Sequence, residues 1–115
     1  MSLNNSLVDS ASLKAELIQK EVLELAKNIN LDELYQVKSR MITSVNNLSK
    51  SVRNAFDHNN RLERIRSFVL ITGKMLECKD YLQLLSKLQI AETNYLSSEI
   101  DDLTYLLMVN SGSLN

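Results

Sequence analysis

The sequence predicts an all-α protein, an elongated antiparallel helical bundle of three long or four to five shorter helices. Three observations carry that expectation. The 115 residues contain no Pro and only two Gly, Gly73 and Gly112, so the usual turn residues of an all-β fold are scarce. Twenty-one Leu and few aromatic residues favour helix, since unbranched side chains lose little rotamer freedom there. Apolar residues recur at alternating steps of three and four, the period of one helix face. The length suits a single domain, 1–115, with a self-sufficient core. An apolar content of 44% with a net charge of -1 sets the chain apart from disordered sequences.

The first helix is expected over residues 6–29. Val8, Ala11, Ala15, Ile18, Val22, Leu25 and Ile29 form one stripe, widened by Leu13 and Leu17, and broad enough for more than one neighbour. Ser6 with Asp9 three residues on resembles a capping box. A second helix is expected over 31–57, with Asn30 as its cap. Its stripe runs Leu34, Val37, Met41, Val45, Leu48, Val52 and Ala55. Asp57-His58-Asn59-Asn60 reads as a loop, and Asn60 as the cap of a third helix. Over 61–96 the residues read either as one helix or as two divided near Asp80. The stripe there is Leu62, Ile65, Val69, Thr72 and Leu76, with Phe68 and Met75 beside it. A last helix is expected over 99–109 from Ile100, Leu103, Leu107 and Val109, leaving 1–5 and 110–115 as frayed tails.

Charge is distributed unevenly. Residues 1–37 carry three Lys against six acids, residues 38–66 seven bases against two acids, and residues 67–115 three Lys against six acids. Every Arg lies between positions 40 and 66. A basic segment attracts nucleic acid or an acidic partner, or packs against acidic helices of the same bundle. The last reading is expected, because the sequence pI of about 5.8 is far below that of a typical nucleic-acid module. Arg61, Arg64 and Arg66 form the tightest cluster, and a helix start beneath them makes an anion site conceivable.

Catalytic and metal chemistry find little support. One His and one Cys build neither a zinc site nor a di-iron bundle centre, so no metal and no cofactor is expected. His58 beside Asp57 reads as a solvated loop residue, and Cys78 as a structural thiol. Glu16, Glu21, Glu24 and Asp101-Asp102 read as surface carboxylates. Thr72-Gly73-Lys74 resembles the end of a phosphate loop, but Phe68 stands where the upstream Gly belongs. Tyr35, Tyr81, Tyr95 and Tyr105 are too dispersed along the chain to form a stacking platform by local spacing.

Short apolar runs such as Phe68–Ile71 and Leu106–Val109 predict no membrane span. The N-terminal residues show no signal-peptide pattern, and the lone Cys gives no sign of an oxidising compartment. An intracellular, cytoplasmic protein is therefore expected. The functional expectation is a non-enzymatic protein–protein interaction module, an adaptor or a subunit of a larger assembly, in a homo-oligomer or hetero-complex. Its expected docking surface is Met41, Val45, Leu48 and Val52, rimmed by Arg40 and Arg53. The alternative is a nucleic-acid-associated regulator using the basic 38–66 region.

Overall fold

A computed structural model describes residues 5–112. Five α-helices and one 3₁₀ turn follow one another: α1 (Asn5–Lys27), the 3₁₀ turn (Asp32–Leu34), α2 (Tyr35–Val45), α3 (Leu48–Asp57), α4 (Arg61–Lys87) and α5 (Asn94–Gly112). No strand occurs among the described residues. α1 packs against α2, α3 and α5, and α4 packs against the same three helices. The result is a four-cornered bundle in which α2 and α3 share one corner. Its extents are 49 × 21 × 18 Å, an elongated body with one layer of core between opposite helices. Short connections make successive corners antiparallel.

The core is the alternating three–four stripe of each helix turned inward. Ala11, Ala15, Ile18 and Val22 of α1 face Met41 and Val45 of α2, Leu48 and Val52 of α3, Met75 and Leu82 of α4, and Ile100, Leu103 and Leu107 of α5 within one buried cluster. Phe56 and Phe68 meet edge to face, with ring centres 5.0 Å apart, pinning the α3–α4 hairpin. Two charged clasps hold the outer seams of α5. Lys14 Nζ donates to Glu99 at 2.7 Å and to Asp102 at 3.4 Å, and Lys79 Nζ to Asp101 at 2.7 Å.

The helix boundaries depart from the sequence expectation in several places, beginning with α1, which ends at Lys27 instead of 29. α1 is already helical at Asn5, so the expected cap position, Ser6, lies inside the helix. The next segment opens as a 3₁₀ turn whose N-terminal flanking residue, Leu31, makes no side-chain cap; Asn30 is therefore not a cap. The continuous helix expected over 31–57 is broken at Asn46-Asn47. Asn47 takes a left-handed conformation (φ 57°), which Asn tolerates better than most residues, and Gln19 of α1 accepts the Ser49 N–H at 3.2 Å. The segment 61–96, expected as one helix or as two divided near Asp80, runs unbroken through Asp80 and stops at Lys87. There Gln89 adopts φ 58°, its N–H bonds the Ser86 carbonyl, and the Ile90 N–H bonds the Leu85 carbonyl, a Schellman ending with Gln where Gly is usual. α5 then begins at Asn94 instead of 99 and continues to Gly112, beyond the expected end at 109. Its entry is tied down by the Thr93 hydroxyl, which donates to the Leu82 carbonyl at 2.7 Å, and by Glu92, which accepts the Asn94 N–H. Of the tails expected at 1–5 and 110–115, Asn5 and 110–112 are helical, and 1–4 and 113–115 lie outside the described residues.

Candidate interaction surface

The stripe expected to dock a partner is used up inside the bundle. Met41, Val45 and Val52 are fully buried and Leu48 is 2% exposed. α2 and α3 each face both α1 and α4, so a stripe that looked surplus has two neighbours to cover it. Arg40 and Arg53 are exposed, but the break at Asn46-Asn47 puts them on separate helices.

The anion cluster is also dispersed. Asn60 Oδ1 accepts from the Leu62 and Glu63 N–H groups at 2.8 and 3.2 Å, and the Asn60 carbonyl accepts from Arg64 N. The N–H groups a phosphate would need are thus satisfied by the expected Asn60 cap. Arg66 pairs with Glu63 at 3.1 Å on its own helix, and half-buried Arg64 reaches the Asn59 carbonyl at 3.5 Å. Arg61 is exposed and joins neither contact.

The basic segment is not neutralised by acidic neighbours. Among the described residues the ion pairs are Lys14–Glu99, Lys14–Asp102, Lys79–Asp101 and Arg66–Glu63. Only Arg66 comes from 38–66, and its partner is local. Lys38 instead ties the preceding loop by donating to the Ile29 carbonyl. The expected complementary packing of this segment against acidic helices, of the same bundle or of a partner subunit, therefore includes no ion pair from 38–66 to another helix among the described residues.

A surface the sequence reading did not single out emerges on α4. Its buried stripe is Phe68, Ile71, Met75, Cys78, Leu82 and Leu85. Its outer face carries a second apolar set: Val69 (64% exposed), Leu70 (68%), Leu62, Leu76 and Leu84. Val69 and Leu76, assigned to the inward stripe by spacing, point outward. α4 is apolar on two faces, so periodicity alone left open which face turns in. The unusual density of apolar residues around this helix was the available signal, since a bundle helix normally has one polar face. Gly73 lies between Val69 and Leu76 on this face, exposed, and a Cβ placed there would meet nothing within 4 Å. The glycine serves no close packing inside the bundle.

Between α3 and α4 lies a half-open cleft of about 230 Å³, lined among others by Ser51, Asn54, His58, Ser67 and Lys74 over an apolar floor of Leu48 and Ile71. His58 is exposed at its edge. Cys78 is fully buried, and that burial pushes its thiol up to about 11, partly offset by a hydrogen bond with Ser44. Among the described residues no three His, Cys, Asp or Glu side chains gather to hold a metal ion. No helix among them is long and apolar enough to cross a membrane. No protein-family model, curated protein or solved structure matches the chain.

Proposed function

We propose that the chain is a non-enzymatic helical interaction module, an adaptor or assembly subunit, that docks a protein partner through the outer face of α4. The observation that carries this reading is the second apolar face of α4, with Leu62, Val69, Leu70 and Leu76 exposed side by side. A bundle helix that has already buried one stripe gains nothing from a second unless something covers it, and contiguous exposed apolar patches mark interaction sites. Arg66, Glu77 and Asp80, also exposed on this helix, stand among these apolar residues and supply the charges that fix register and exclude wrong partners. A photo-crosslinking residue at Val69 or Leu76 is expected to give protein adducts in cells expressing the chain, while the same residue at exposed Glu16 of α1 gives none. Equal labelling from both helices, or no adduct from α4, would overturn the reading.

The unpaired bases Arg40, Lys50 and Arg53 favour a second reading, a nucleic-acid-associated regulator. Its test is retention on a nucleic-acid probe that weakens steeply with salt, as counterion release requires, and that is lost in an Arg40→Gln/Arg53→Gln variant.

A further inference from the structure

We infer that the occupant of the α4 face is a second copy of the chain, its own α4 lying antiparallel across a twofold axis with Gly73 facing Gly73. This rests on the docking reading above and names its partner. At 100° per residue, Leu62, Arg66, Val69, Gly73, Glu77, Asp80 and Leu84 fall within about 40° of the Gly73 direction, with Leu70 and Leu76 at about 60° on either side. All are exposed.

The face is self-complementary in one direction only. Arg66 and Asp80 stand seven residues before and after Gly73, and Leu62 and Leu84 eleven residues before and after it. An antiparallel copy therefore sets Arg66 against Asp80 twice, Leu62 against Leu84 twice, and Val69 beside Leu76 twice. A parallel copy would set Arg66 against Arg66 and Asp80 against Asp80, a repulsive register. Residue i meeting j while j meets i is what a closed twofold interface demands.

Gly73 sits where the two helices would come closest. The distance between packed helices is set by the side chains at the contact, and a residue without Cβ lets the backbones approach so that the flanking Val69 and Leu76 interdigitate. Inside the bundle this glycine has no such use, since its Cβ direction is open. An interior helical Gly is unfavourable relative to Ala, and only an external neighbour makes use of it. The exposed apolar set, the open glycine and the mirrored charges are independent observations, and they share one centre.

Sedimentation equilibrium at tens of micromolar tests the inference with the full chain and three variants. The wild-type chain is expected at twice its 13.1 kDa mass. Arg66→Asp and Asp80→Arg should each raise the dimer dissociation constant by roughly tenfold or more, because each creates two like-charge contacts. The double variant Arg66→Asp/Asp80→Arg should regain most of the affinity, since the reversed pair is again complementary between copies. Both positions are exposed, so circular dichroism should show that each variant keeps its helices. A wild-type monomer, or a double variant as weak as the single ones, would overturn the second-copy assignment. If that monomer still gives adducts to another protein from Val69, the docking reading stands and only its partner changes. If it gives none, both fall.

Discussion

Replacing Gly73 with Ala is expected to stabilise the isolated chain. The position lies in the interior of α4, far from either end, its φ is not positive, and an added Cβ meets nothing within 4 Å. The substitution therefore incurs neither strain nor overlap. What remains is the difference in helix propensity, about 1 kcal/mol in favour of Ala, which arises chiefly because the unfolded chain with Ala has fewer conformations to lose. For a chain of this size that gain raises the melting temperature by about 4 °C. Urea unfolding followed by far-ultraviolet circular dichroism, at a concentration low enough to keep the chain monomeric, should show a midpoint about 0.5 M higher with an unchanged slope. The same two methyl groups would meet at the proposed crossing, so association should weaken while the monomer gains stability. A neutral or destabilising Gly73→Ala in the monomer would refute the description of α4 as a continuous helix with an open outer face at Gly73.

Leu48→Asp should destabilise by about 3 kcal/mol or more, because Leu48 is 2% exposed and the carboxylate would lack a partner; denaturant titration reads this directly. Replacing Lys14 with Gln removes its ion pairs with Glu99 and Asp102 between α1 and α5. The loss should be about 1 kcal/mol at low salt and smaller at high salt, and titrations at two ionic strengths check it. Cys78 should resist thiol reagents in the native state near neutral pH, since its folded value of about 11 exceeds the ordinary 9.0. The folded chain holds the proton more tightly than the unfolded one, so stability present below pH 9 is lost as pH rises toward 11. Over that window the wild type should fall further than Cys78→Ala, by on the order of 2 kcal/mol.

The fold class and most core positions were legible in the sequence because burial and the three–four period coincide wherever a helix has a single apolar face. α1 shows this with Ala11, Ala15, Ile18 and Val22, and α2 and α3 with Met41, Val45, Leu48 and Val52. The Asn60 cap was legible because an Asn before an Arg-Leu-Glu start has one favourable use. Two kinds of feature escaped. Helix endings at Asn47 and Gln89 depend on left-handed residues other than Gly, and Gln gives no local sign of adopting that conformation. The stripe phase also ran on through Val45, Leu48 and Val52, hiding the break between α2 and α3. The inside and outside of α4 escaped for a different reason. Phe68, Ile71 and Met75 compete with Val69, Thr72 and Leu76 for the same core, and only the positions of α2, α3 and α5 decide between them.

That decision also moved the candidate site. Residues chosen as a docking strip because they looked surplus on one helix proved to be shared between two neighbours. The true surplus belonged to the helix whose two faces had been merged into one broad stripe. Apolar excess is therefore informative only after each stripe has been assigned its neighbours.

The proposed assembly puts the outer face of α4 at the interface. Solvent paramagnetic relaxation enhancement on methyl groups, recorded as protein concentration rises, tests it residue by residue. Val69, Leu70 and Leu76 should lose their enhancement as the complex forms, while Leu13 of α1, 63% exposed and far from this face in sequence, keeps it. If Val69 and Leu76 stay as accessible as Leu13 when the sample associates, or if Leu13 is protected in their place, the assembling surface lies elsewhere and the claim is wrong.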